Sequence, residues 1–205
     1  ILGYFISVQY LTVASASLLS YSSSIWIVIF SYLILKEKIS VKTIIALVIS
    51  FTGIIFIISP GALFLKNSLI GSLSGLSAGI GMGLVYTLSK TFKKYDKVSL
   101  TFWQNLIAIP FVLPLIFIDF PKFTMIDFWI VILIGSLLTE VPFVLLFKGF
   151  EKVDAQKGSI IIMLDAVFSI LFAYLILSEV PTMITIIGGI LIIIGSYVIT
   201  VKKRK

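Results

Sequence analysis

Two carboxylate side chains, Glu140 and Asp165, stand inside long apolar stretches of the sequence, GSLLTEVPFVLL and IIIMLDAVFSIL. An acid at the centre of a membrane helix costs about 2.5–3.5 kcal/mol, so something must offset it. The functional interpretation is a proton relay or a site for a cationic or amine-bearing substrate. The alternative is that one or both are neutral acids that hydrogen-bond to neighbouring helices.

These two acids are predicted to lie at nearly the same depth. Their helices form a hairpin with its loop near Lys152, and each acid lies about 12 or 13 residues from that point along helices that rise 1.5 Å per residue. No basic residue occurs at that level in any predicted span. Pro142 removes one backbone donor and frees the carbonyl of Leu138, so it either opens a polar pocket beside Glu140 or is a tolerated membrane proline.

Four more polar residues within the apolar stretches are candidates for a substrate or proton site: Ser23, Ser24, Tyr86 and Gln104. The serines lie midway along their helix in SYSSS, where they either contact substrate or bond their own i−4 carbonyls. Tyr86 is either a lining residue or an interfacial anchor. Gln104 is preferred to its neighbour Asn105 as a lining residue, because consecutive residues point about 100° apart.

Four glycines, spaced four residues apart, are predicted to form one side-chain-free ridge that lets another helix approach closely. Ligand contact is the less favoured interpretation of this ridge. The glycines are Gly71, Gly75, Gly79 and Gly83.

The composition predicts the elements that carry these residues. Sixty per cent of the 205 residues are hydrophobic and the mean hydropathy is +1.20. Apolar runs of about 20 residues between short polar breaks indicate membrane helices. After a stub at about residues 1–10, seven spans are predicted at roughly 14–35, 42–59, 68–90, 98–118, 126–148, 157–178 and 183–201.

The basic residues predict orientation. Fourteen of the 16 lie in alternate breaks and in the tail, which by the positive-inside rule places these segments and the C-terminus in the cytoplasm. This distribution fits a cell membrane with anionic lipid and argues against nucleic acid as a partner. Because the chain has no cysteine and no histidine, neither a disulfide nor a typical metal site is predicted, and no cofactor is expected.

A repeated sequence motif predicts an inverted repeat. YLILKEKIS at residues 32–40 returns as YLILSEVPT at residues 174–182, and Gly53 matches Gly195 at the same offset of 142 residues. Five predicted spans separate the two copies, so they cross the membrane in opposite directions, as in inverted repeats of secondary transporters. The second unit has five spans, and the same register leaves about 75 residues of a ten-helix protein missing before Ile1. The alternative is a complete protein of seven or eight spans.

Two segments, ASASLLSYSSSIWIVIFSYLILKEKIS (14–40) and AQKGSIIIMLDAVFSILFAYLILSEVPT (155–182), resemble the EamA-type members of the drug/metabolite transporter superfamily. GLVYTLSKTFKK (83–94) is similar to the sixth helix of that family. The resemblance implies an all-α integral membrane fold of two inverted five-helix repeats, with the first two and a half helices missing. Residues 1–62 would end the first repeat and residues 63–205 form the second. Ser24 and Ala166 stand where the family usually has proline, and Asp165 where many members have glutamate.

The combined expectation is a gradient-driven secondary transporter that moves a small metabolite, such as an amino acid or amine, by alternating access. The expected partners are this small-molecule substrate, protons as the candidate coupled ion, and the lipid bilayer; a homodimer is a candidate assembly. An ion gradient is the expected energy source, because the chain lacks a GxxxxGK[ST] motif and its cytoplasmic loops are too short for an ATPase domain. A non-enzyme is favoured, because no histidine or metal constellation supports an enzyme. The alternatives are an intramembrane enzyme acting on a lipid headgroup and a non-transporting membrane assembly protein.

Overall fold

The computed structural model describes residues 2–58, 69–92, 94–116, 124–135, 140–178 and 180–201. These residues form eleven helices and no strand, so the all-α prediction is confirmed for this part of the chain. In chain order the helices are α1 (Leu2–Tyr10), α2 (Val13–Tyr21), α3 (Ser23–Leu33), α4 (Val41–Ile58), α5 (Leu69–Thr91), α6 (Lys97–Ile116), α7 (Met125–Leu133), α8 (Val141–Lys152), α9 (Ala155–Ile162), α10 (Leu164–Leu177) and α11 (Met183–Thr200).

Five segments of the described chain are long and apolar enough to cross a membrane, which makes this a multi-pass membrane protein. They are Ser15–Leu33, Val41–Ile58, Leu69–Thr91, Ala155–Ile176 and Met183–Thr200. The two remaining predicted spans, 98–118 and 126–148, are helical over α6 and over α7 with α8, and parts of both lie outside the described residues.

The chain divides into two compact units. One is formed by residues 1–87 and 154–205, and the other by residues 88–153. Each unit is described by itself below. The predicted boundary between the two repeats, at residues 62 and 63, lies outside the described residues.

Helices α4 and α11 of the first unit are in close backbone contact. A Cβ atom on Gly53 would lie 2.5 Å from the carbonyl oxygen of Gly188, and one on Gly195 would lie 2.9 Å from the carbonyl oxygen of Ala46. Because residue 46 faces 195 while 53 faces 188, the two helices run antiparallel. Each glycine is therefore needed for the close approach of the partner backbone.

Two predicted spans of the first unit are interrupted midway. The first breaks at Ser22, between α2 and α3, and the second breaks at Met163, between α9 and α10. At the second break the Met163 N–H bonds the carbonyl of Ile160, three residues back, at 3.2 Å. The carbonyl of Ser159, four residues back, accepts a 2.9 Å hydrogen bond from the Ser24 hydroxyl. The break in one span is thus stabilised by a side chain from the other.

The two copies of YLIL end in the same backbone conformation. Lys36 and Ser178, 142 residues apart, have φ of 56° and 57°, and they are the only non-glycine residues in the left-handed region within the described part of the chain. Glu37, the next residue in the first copy, accepts a hydrogen bond from the backbone N–H of Ala155 at 3.2 Å. The second copy's acid, Glu179, lies outside the described residues.

The glycine ridge of α5 lies against the N-terminal helices. Added Cβ atoms on its four members would lie 2.6 or 2.7 Å from atoms of Leu11, Leu19 and Trp26. By contrast, a Cβ atom on Gly81 would meet nothing within 4 Å. The ridge formed by Gly71, Gly75, Gly79 and Gly83 is therefore the packed face of α5.

Candidate functional site

Asp165 occupies the first turn of α10, two residues after the break at Met163, and its side chain is exposed. The start of a helix carries a partial positive charge that favours a nearby carboxylate. The break creates such a helix start in the middle of a predicted span. The partial positive charge at the start of α10 is one contribution that offsets the free-energy cost of placing Asp165 inside a membrane span. The sequence did not reveal it, because it does not show the break.

Two tyrosines accompany Asp165. Tyr21, the last residue of α2, is in side-chain hydrogen-bond contact with Asp165, and Tyr86 of α5 is close enough to interact electrostatically with it. Tyr21 is half-buried, whereas Tyr86 is buried. Within the described chain Asp165 forms no ion pair. We name Tyr21, Tyr86 and Asp165 the tyrosine–aspartate cluster.

The two predicted serines lie beside this cluster in buried positions. Ser24 is 1% exposed and its hydroxyl is bonded to the carbonyl of Ser159. Ser23 is 5% exposed, and its backbone carbonyl lies against Gly83 of the glycine ridge. The hydroxyl of Ser24 therefore stabilises the second helix break, and contact with a substrate at either serine remains a prediction.

The second predicted acid lies in the other unit. Glu140 immediately precedes α8, with Pro142 in the first turn of that helix, and its carboxylate accepts a 2.8 Å hydrogen bond from the Asn105 side chain. Both side chains are half-buried. Gln104, the predicted lining residue, is also half-buried, but the residue that contacts Glu140 is Asn105. The sequence does not show how α6 is rotated about its axis, so it did not reveal this contact, and Gln104 as a lining residue stays a prediction.

The structure buries a lysine, Lys97, that the sequence did not single out. Lys97 is 3% exposed, although the sequence predicts a solvated cytoplasmic lysine there. Its ammonium lies 2.8 Å from Glu151 and donates to the carbonyls of Ser89 at 3.3 Å and Phe92 at 3.0 Å. These carbonyls end α5, so Lys97 caps that helix and joins it to the end of α8. No local pattern distinguishes this lysine from its neighbours.

The EamA-like transporter family matches residues 1–59 and 69–201. An uncharacterized transporter of Archaeoglobus fulgidus is 30% identical over 195 residues, covering 94% of this chain and 69% of that protein. The pseudopaline exporter CntI of Pseudomonas aeruginosa is 24% identical over 98% of this chain and 70% of its own.

Another relative, an S-adenosylmethionine uptake transporter of Rickettsia bellii, is 24% identical over 94% of this chain and 65% of its own. One crystal structure shares the fold with a TM-score of 0.81 at 18% identity, covering 97% of this chain and 71% of that one. The predicted resemblance is confirmed, and the chain belongs to the EamA-like transporter family of multi-pass membrane transporters.

Proposed function

We propose that the chain acts in a secondary active transporter that moves a small amine-bearing or cationic metabolite across the cell membrane by alternating access. Asp165 would be the group that binds the substrate or the coupled proton. The observation that carries this proposal is the tyrosine–aspartate cluster, in which an exposed carboxylate at a helix break has no ion pair within the described chain.

The chemistry of the cluster suits a cation. A carboxylate attracts an ammonium group or a proton, and the Tyr21 hydroxyl beside it is a hydrogen-bond donor. Aromatic faces add attraction for a cation that enters beside them. A group that exchanges a proton for a cation couples the two fluxes directly, which is why intramembrane acids are common in such carriers. Transport rather than enzymatic turnover is the function that this arrangement supports.

Glu140 would provide a second acidic position. The amide of Asn105 donates a 2.8 Å hydrogen bond to its carboxylate and so holds that side chain in place. The prediction that Glu140 and Asp165 lie at the same depth stays a prediction.

Two relatives are named for moving small metabolites, pseudopaline and S-adenosylmethionine, one as an exporter and one for uptake. For this chain we propose the class of substrate and leave the direction open.

The direct test is uptake of labelled amines and amino acids into proteoliposomes under an imposed pH gradient. The gradient should drive uptake by the native protein, and Asp165→Asn should abolish it. Asp96→Asn is the matched control, because Asp96 is exposed and its side chain accepts a 3.2 Å bond from the backbone N–H of Ser99, with no ion pair in the described residues. Equal uptake by the native protein and the Asp165→Asn variant would refute the proposal.

We further propose that the fold is an inverted repeat of two five-helix units, meeting near residue 62, within a ten-helix protein whose C-terminus is cytoplasmic. Three observations support it. Equivalent helices α4 and α11 run antiparallel, and Gly53 and Gly195 make the same kind of backbone contact in each direction. Lys36 and Ser178 share the left-handed conformation. The two helix breaks lie at nearly equivalent positions.

Single cysteines test the repeat, because the chain has none of its own. Lys36→Cys and Ser178→Cys form a matched pair, since both residues are exposed and have nearly the same φ. In intact cells a membrane-impermeant thiol reagent should label the second variant and not the first. Labelling of both from the same side would contradict the inverted repeat. Homodimer formation stays a separate prediction.

A further inference from the structure

A polar pocket of about 470 Å³ lies in the first unit where three membrane spans end. Helices α4 and α9 begin beside it and α11 ends beside it. We name it the interface pocket and define it by Lys38, Lys42, Thr43, Asp154, Lys157 and Val201 among its lining residues. Because α4, α9 and α11 all terminate there, the pocket lies at the level of lipid headgroups rather than at the level of Asp165.

The interface pocket carries more available cations than available anions. Lys38 is exposed and forms no ion pair within the described chain. Lys42 donates to the backbone carbonyl of Val201 at 3.1 Å, which leaves its charge unpaired by any carboxylate in the described structure. Lys157 pairs with Asp154 at 2.6 Å. Each ammonium has three donors, so these single contacts leave further donors free for a ligand.

The remaining acid of the interface pocket, Glu37, is half-buried and still counts as a negative charge, so the described lining has three lysines against two carboxylates. It accepts from the backbone N–H of Ala155 at 3.2 Å and so stabilises the start of α9. The starts of α4 and α9 both add partial positive charge to the pocket. The electrostatic balance at the pocket therefore favours an anion.

A buried amide holds this pocket in shape. Gln156 is 5% exposed, accepts from the Thr43 hydroxyl at 3.0 Å, and donates to the carbonyls of Glu37 and Lys38 at 3.4 Å. The loop that carries Lys38 is thereby fixed to α4 and α9. The backbone of Lys38 is therefore held in place by a hydrogen bond to Gln156.

We propose that the interface pocket binds the phosphate group of an anionic membrane lipid. Basic pockets between membrane helices are known to hold anionic headgroups, and the volume lies in the range of small-ligand sites. This inference does not depend on the transport proposal, because the pocket shares no residue with the tyrosine–aspartate cluster. Inorganic phosphate offers the same chemistry from water, so the experiment must separate the two sources.

The test is native mass spectrometry of the full chain in a neutral detergent, titrated with phosphatidylglycerol and with phosphatidylcholine. The native protein should retain phosphatidylglycerol in preference. Lys38→Gln should weaken that binding about fivefold, since one lysine near an anionic surface contributes on that scale. Lys36→Gln is the matched control, because Lys36 is exposed in the same loop and does not line the pocket; it should leave binding unchanged.

Two further arms identify the source of the phosphate. Excess inorganic phosphate should leave the lipid bound, and binding of phosphate without retention of phosphatidylglycerol would overturn the lipid assignment. Replacing residues 202–205, KKRK, with glutamines removes diffuse surface attraction, and the preference should survive it. Equal binding by the Lys38→Gln and Lys36→Gln variants, with unchanged melting temperatures, would overturn the site itself.

Discussion

Two pairs of segments in the unit of residues 1–87 and 154–205 are built in opposite ways. Helices α4 and α11 are continuous, and they approach so closely that glycines contact carbonyl oxygens of the partner. The spans that contain α2 with α3, and α9 with α10, are interrupted midway at Ser22 and Met163. Continuous apolar helices satisfy their own backbone in lipid. The turn at Ser22 also does so, because its N–H donates to the carbonyl of Leu18 at 3.2 Å, whereas at the second break the carbonyl of Ser159 accepts a side-chain hydrogen bond from Ser24.

The interrupted pair carries the polar chemistry. Asp165 lies two residues after one break, and Tyr21 lies immediately before the other. The contact between these two side chains therefore joins the two breaks. We propose that the continuous pair acts as the frame and that the interrupted pair carries the site, so changes in the two should have separable effects on folding and on transport.

The largest expected effect is on transport by Asp165→Asn. Loss of the charge that we propose binds the substrate or proton should reduce gradient-driven uptake by up to about 100-fold, because the upper range for a hydrogen bond to a charged group, about 3 kcal/mol, corresponds to two powers of ten. The melting temperature should not fall, because the side chain is exposed. Initial uptake rates and thermal melts of Asp165→Asn and Asp165→Glu measure both quantities. Partial uptake by the glutamate variant would sharpen the assignment to charge.

In the frame, Gly195→Ala should destabilise the fold by about 1–3 kcal/mol, the usual range for overpacking. The new methyl group would collide with Ser50 and lie 2.9 Å from the carbonyl oxygen of Ala46. Gly189→Ala is the matched control on the same helix, since a Cβ atom there meets nothing within 4 Å. Denaturation in mild detergent compares the two, and equal midpoints would refute the frame assignment.

At the site, Tyr21→Phe should raise the KM for uptake about tenfold, the scale of one hydrogen bond to a charged group. The ring remains, so packing is preserved while Asp165 loses its donor. Tyr197→Phe is the control, because Tyr197 is 69% exposed on α11. Concentration-dependent uptake measures KM, and an unchanged value in the Tyr21 variant would remove this tyrosine from the site.

The smallest expected effect is from Ser24→Ala, which should lower stability by about 1 kcal/mol. The substitution leaves the buried carbonyl of Ser159 without its 2.9 Å donor. Ser169→Ala provides the comparison, because Ser169 is exposed and its hydroxyl bonds the carbonyl of Asp165 in its own helix at 2.9 Å. Chemical denaturation detects the difference. A stability change no larger than that of the control would show that the break does not depend on Ser24.

Hydropathy alone predicts much of this fold, because long apolar runs leave little choice in lipid. The predicted spans 42–59 and 68–90 are α4 (Val41–Ile58) and α5 (Leu69–Thr91), one residue away at each end. The glycine spacing likewise predicts the packed face of α5. These features follow from local composition, which the sequence displays directly.

The helix breaks could not be predicted in the same way. Neither SYSSS around Ser22 nor IMLDA around Met163 contains proline or glycine, the usual causes of interruption. The second break depends instead on a hydroxyl supplied 135 residues away by Ser24. The choice of Asn105 over Gln104 as the partner of Glu140 also depends on tertiary packing, because adjacent helix residues point in different directions.

The central claim, that Asp165 lies on an alternating-access path, is tested most directly by thiol accessibility of Ser169→Cys. Ser169 is exposed one turn after Asp165 on the same face of α10, and the chain has no other cysteine. In proteoliposomes of known orientation, we predict that an impermeant reagent labels this position from each side and that a transported amine slows both reactions. Labelling from one side alone, unaffected by any transported solute, would contradict the account.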